Sequence, residues 1–195
     1  MARQYFESPT ADSTIVAIST TPTTTKTSIL SPTQANQLLP IPYGQASPFA
    51  GQVFRFSLGG IITTPATGTL IIDPYYGPGT STTAFGVDMG ASPAQTVTAS
   101  LSSIPWRIQG EIAFRTISQT ATASTAWLAG TFSSQGTLAT AGAGWTIPFG
   151  STAAVSVDTS GTASAGTFGA LNIAVTFSIT GGVIVVEYSS LSSLN

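Results

Sequence analysis

Three charged side chains fall close together in IPWRIQGEIAFRTIS, residues 104–118: Arg107, Glu111 and Arg115. Only 6% of the 195 residues are charged, so such a group invites a chemical reading. A catalytic constellation would need a base or nucleophile matched to the arginines. Two carboxylates such as Glu111 and Glu187 would have to flank a substrate, as a glycosidase pair does. A second reading is a ligand-reading face, and the third is structural, with charges that fix strand or subunit register.

The flanking residues favour the third. Trp106, Ile108, Gly110, Ile112 and Phe114 alternate with Arg107, Gln109, Glu111, Ala113 and Arg115. A period of two is that of a strand with one apolar and one polar face. Charges at i, i+4 and i+8 then share a face, about 13 Å between neighbours at strand rise. They are too far apart to pair with one another, so each needs a partner on an adjacent strand, on another subunit or in water. Arg55 in VFRFSL and Glu187 in VIVVEYSS sit mid-strand in the same kind of register. Arg55, Arg107, Glu111, Arg115 and Glu187 are therefore expected to be strand or subunit contacts, and no catalytic residue is assigned.

Composition removes most alternatives. The chain has no His and no Cys, which excludes disulfides, Cys/His zinc sites, thiol nucleophiles and His-based triads. Asp73 before Pro74, Asp88 in GVDMG and Asp158 in VDTSG read as turn residues. No Asp-x-Asp run suggests calcium, and neither glycine-rich stretch continues as a phosphate loop. No metal and no cofactor are expected. Trp106, Trp127 and Trp145 read as core or interface anchors, with stacking on sugars as the alternative.

The elements that must position these residues are strands. From Gly51 onward, QVFRFSLGGIITT, GTLIIDPYYG, AQTVTAS, IPWRIQGEIAFRTIS, TAWLAGTFSSQ, GWTIPFG, TAAVSVDTS, LNIAVTFSIT and GVIVVEYSS follow one another, most of them separated by Gly- or Ser-rich turns. GTLIID is expected to close at Pro74. No helix-length segment has a 3.6-residue period. Eight to ten short strands predict an all-β, jelly-roll-like antiparallel β-sandwich over residues 51–195. Residues 1–50, Thr-rich with prolines at 22, 32, 40, 42 and 48, predict an extended arm. A short strand is expected at Thr14–Ser19. Ile15, Val16, Ile18, Ile29, Leu30, Leu38, Leu39 and Ile41 are expected to pack on a neighbour.

A net charge of −2 with 5 Lys and Arg argues against nucleic acid, whose phosphates require clustered cations. No apolar run reaches the ~18–20 residues of a membrane span, and the first residues lack the apolar core of a secretory leader. A protein made in the cytoplasm, without membrane attachment, is the expectation. A surface of Ser, Thr, Gly and Ala departs from the charge-rich surface that favours solubility, and suits a protein that sits permanently against neighbours.

The segments GQVFRFSLGGIITTPATGTLIIDPYYG, ASPAQTVTASLSSIPWRIQGEIAFRTIS, TAWLAGTF, TIPFG and the ending EYSSLSSLN resemble small virion structural proteins of tailed bacteriophages. The nearest type is the head decoration, or cement, proteins. The resemblance is one of pattern over roughly residues 50–195. It implies a jelly-roll-like sandwich, commonly trimeric, on the outer capsid surface, with the major capsid protein as partner and no catalytic residues. N-terminal arms of that group often reach across neighbouring capsid subunits. Other readings of the same architecture are a phage tail or receptor-binding component, and a carbohydrate-binding module using the tryptophans.

Overall fold

A computed structural model describes residues 7–8, 25–30, 39–41, 48–77, 86–97, 99–118, 124–135, 145–159 and 169–194. Among them the regular structure is entirely β. The strands are β1 (Glu7–Ser8), β2 (Thr27–Ser28), β3 (Leu39–Pro40), β4 (Val53–Thr63), β5 (Thr69–Tyr76), β6 (Val87–Asp88), β7 (Gln95–Thr96), β8 (Ile104–Thr116), β9 (Ser124–Ser134), β10 (Trp145–Gly150), β11 (Val155–Val157), β12 (Ala170–Phe177) and β13 (Val183–Ser193). They form two antiparallel sheets. The larger runs β1-β13-β4-β8-β9-β10, with β11 beside β9; the smaller runs β2-β12-β5-β6, with β3 beside β12 and β7 beside β5.

The two sheets pack as a β-sandwich: β8 and β9 of the larger alternate buried and open positions, whereas β5 and β12 of the smaller are buried almost throughout. Phe54, Phe56 and Leu58 of β4, Trp106, Ile108, Ile112 and Phe114 of β8, and Ala126, Leu128 and Phe132 of β9 are buried. They meet Leu70 and Ile72 of β5 and Leu171, Ile173, Val175 and Phe177 of β12 in one core. Phe114 contacts Phe54 and Tyr76 edge to face, at 6.0 and 5.9 Å between centroids, the arrangement that aromatic quadrupoles favour.

The winding follows from one ribbon. β4 pairs with β13 in the larger sheet, and β5 pairs with β12 in the smaller. Both connections therefore cross between the sheets side by side. At that corner Ser178 N donates to Thr69 O (3.0 Å) and Thr69 N to Ser178 Oγ (2.9 Å). A two-stranded ribbon that passes from sheet to sheet gives the sandwich its jelly-roll character.

A row of four residues explains two glycines of the larger sheet. Phe56 lies opposite Gly110, Gly110 opposite Gly130, and Gly130 opposite Phe149. A Cβ at Gly110 would stand 2.3 Å from Phe56 Cζ, and one at Gly130 2.5 Å from Phe149 Cζ. The two rings occupy the space that side chains would take there, and their centroids approach to 6.5 Å.

Two local expectations change. β5 does not close at Pro74 but runs through it to Tyr76. The Pro74 carbonyl accepts from Met89 N (2.9 Å), so the residue's missing N–H faces the short strands at that side and costs the β12 ladder no donor. Asp73 is accordingly a strand residue and not a turn residue, with 0% exposure. Asp88 is the last residue of β6, and its Oδ1 accepts from Gly90 N (2.7 Å) just beyond the strand.

The described residues of the first fifty are part of the sandwich. β1 pairs with β13, and β2 and β3 pair with β12. Ile29, Leu30, Leu39 and Ile41, expected to pack on a neighbour, are buried in this chain's own core. Ile15, Val16, Ile18 and Leu38, and the strand expected at Thr14–Ser19, lie outside the described residues.

Candidate functional site

The polar face of the opening stretch becomes the outer face of the larger sheet, and strand register lays it out in rows. Ser192, Arg55, Glu111 and Ala129 form one row; Ser190, Ser57, Gln109, Thr131 and Pro148 the next; Tyr188, Gly59, Arg107, Ser133 and Thr146 a third. Ala113 and Trp127 stand opposite each other at the other end of the face.

Arg55 and Glu111 meet as cross-strand partners. Nε and Nη2 of Arg55 both donate to Glu111 Oε1, at 3.1 and 2.7 Å. The side chains are 54% and 44% exposed, so the pair fixes geometry at a surface where ion pairs contribute about 0.2–1 kcal/mol. The structure does not bring Glu187 to the same group. Glu187 falls at the register shift between Val186 and Tyr188 in β13, and Arg115 at the shift between Phe114 and Thr116 in β8. Arg107 is exposed on the face beside Gly59. Arg107, Arg115 and Glu187 form no ion pair among the described residues.

The tryptophans separate. Trp106 is buried, stacked on Phe132 at 5.6 Å with a 10° interplanar angle, and its Nε1 donates to Val185 O (3.2 Å). Trp127 is 39% exposed on the outer face. A shallow groove of about 440 Å³ runs beside it, lined by Arg55, Gln109, Glu111, Ala129 and Thr131. Tyr188, 45% exposed, lies across Gly59 elsewhere on the face; a Cβ on Gly59 would stand 2.5 Å from its ring. That close approach is what the first of the two adjacent glycines in FSLGGII permits.

A second polar group escaped the sequence reading. On the smaller sheet, the fully buried Asp73 pairs with Lys26, whose side chain is 45% exposed. Lys26 Nζ donates to Tyr75 Oη (2.6 Å), and Tyr75 Oη donates to Asp73 Oδ2 (2.9 Å). The ammonium also lies 5.3 Å from the Tyr75 ring centroid. Ser28 Oγ donates to the buried Asn172 Oδ1 at 2.6 Å. Burial alone lowers the Lys26 pKa, but the bonds to Asp73 and Tyr75 overcome it and the net shift is upward. Burial pushes the Tyr75 hydroxyl up to about 12, with Lys26 opposing and Asp73 adding. Lys26 is thus held as an ammonium and Tyr75 as a neutral phenol, a pinned contact between residues 25–30 and the sheet. Lys26 sits in a low-complexity Thr-rich run and Asp73 precedes a proline, so neither carried a local signal of the pairing.

Comparison with protein-family models, with curated proteins and with solved structures returns no match to this chain.

Proposed function

We propose that the chain is a non-enzymatic virion structural protein: a decoration, or cement, protein that binds the outer surface of a phage capsid lattice and stabilises the expanded head. The observation that supports this reading most is the near absence of charge on a broad, flat sheet face. Ser57, Gln109, Thr131, Ser133, Thr146, Pro148 and Ser190 tile it around one Arg–Glu pair and a single further cation, Arg107. Surface of this kind can be covered by neighbours with little of the desolvation that buried charges cost. The pattern resemblance over residues 50–195 points the same way and brings the major capsid protein as partner and a trimer as the assembly. Many copies on a lattice act together, so modest affinity per copy suffices to stabilise the shell.

The reading is tested with phage particles made with and without this gene product. Particles lacking it should release their DNA at a lower temperature, and adding the purified protein back should restore the original value. Particles of unchanged heat resistance, with no uptake of added protein, would overturn it.

A further inference from the structure

We infer that the groove beside Trp127 is a binding site for a neutral, pyranose-based saccharide. Trp127 is the fourth residue of β9, close to the register shift in β8; its cross-strand partner is Ala113 and the next residue on its face is Ala129. Methyl-sized neighbours leave the indole 39% exposed and open a path along the sheet to the Arg55–Glu111 pair.

The polar side of the groove is stocked with unused hydrogen-bonding capacity. Arg55 directs both Nε and Nη2 at Glu111 Oε1, which leaves Arg55 Nη1 and Glu111 Oε2 with no hydrogen bond to a described residue. Gln109 and Thr131 stand opposite each other in the adjacent row, and both are exposed. Together they offer a fork of donors, a carboxylate acceptor, an amide and a hydroxyl, side by side on a flat surface. A pyranose ring presents the matching chemistry: an apolar C–H face for an indole, and neighbouring hydroxyls that each donate and accept.

Charge selects among ligands with a flat stacking face. The one guanidinium lining the groove is already neutralised by Glu111, and Arg107, exposed one row beyond Gln109 and Thr131, lies outside the lining, so the groove itself holds no uncompensated cation for a phosphate or sulfate. Single-stranded nucleic acid would need a cationic track beside the stacking ring, and an anionic polysaccharide would need a free cation. A neutral sugar needs neither. The groove shares Gln109, Thr131 and the Arg55–Glu111 pair with the face proposed to meet the lattice, so the two uses exclude each other on one copy; isolated protein displays the groove whether or not the lattice role holds.

The test is titration of the full chain, labelled with nitrogen-15, with three neutral hexasaccharides (cellohexaose, maltohexaose and N-acetylchitohexaose) and one sulfated heparin hexasaccharide. At least one neutral hexasaccharide should shift the Trp127 indole N–H resonance, assigned by its loss in Trp127→Phe. Affinity should fall at least about tenfold in Trp127→Ala, recover in part in Trp127→Tyr, and fall in Glu111→Gln. Arg115→Ala, outside the groove, should bind as the parent does. No shift with any neutral sugar at about 10 mM, a weak-binding regime beyond a millimolar Kd, would overturn the site. So would unchanged affinity in folded Trp127→Ala, or binding of the sulfated sugar alone.

Discussion

Asp73 and Lys26 show how unequal the two ends of an ion pair can be. The carboxylate is fully buried, whereas almost half of the lysine side chain is open to water. Removing the cation strands a buried charge, and removing the anion frees a lysine that can turn into solvent. Lys26→Met should therefore destabilise by about 3 kcal/mol, in the range for a broken buried pair. Asp73→Asn keeps a polar partner for Tyr75 and should cost only about 1–2 kcal/mol. Urea titration of the two variants at neutral pH measures the difference; equal losses would contradict the assigned asymmetry. The Arg55–Glu111 pair was legible beforehand because both residues sit in clean period-two strands. Asp73 was not, because Asp-Pro is a common turn signature and only the course of β5 through Pro74 makes it a strand position.

Strands carried most of what periodicity could disclose. β4, β8, β9, β12 and β13 overlap the segments read as strands, and Trp106, Ile108, Ile112 and Phe114, placed on one face by alternation, all face the core. Periodicity cannot announce a bulge, since one added residue leaves composition unchanged while flipping the face. Glu187 and Arg115 both fall at such shifts, and no period in the sequence disclosed them. Nor does a two-residue strand such as β2 or β3 show a period at all, and their place beside β12 came only with the structure. The consequence can be measured on a chain shortened to residues 49–195. The truncation removes Ile29, Leu30, Leu39 and Ile41, all 3% exposed or less, together with Lys26. Burial of such side chains contributes about 1.5–3 kcal/mol each, so their sum rivals the ~5–15 kcal/mol stability of a whole domain. The shortened chain should lose its cooperative thermal transition; retention of the parent Tm would show that the body stands without β1–β3.

At the scale of the molecule, a sandwich whose first and last described strands pair at one side of the larger sheet, β1 on β13, is combined with a broad sheet face that carries few charges. Class and layering were readable from strand-length apolar runs, turn residues and the lack of helical periodicity. What the face meets was not, because partner choice resides in side-chain placement on a flat surface and not in any motif of the chain. The proposed role makes a quantitative demand: a lattice protein must be present in lattice numbers. Quantitative mass spectrometry of purified virions, scaled to the major capsid protein, tests this directly. The account predicts this chain at a fixed, simple ratio to the capsid subunit, retained through washing. Its absence from virions, or its presence in the few copies of a tail component, would contradict the assignment.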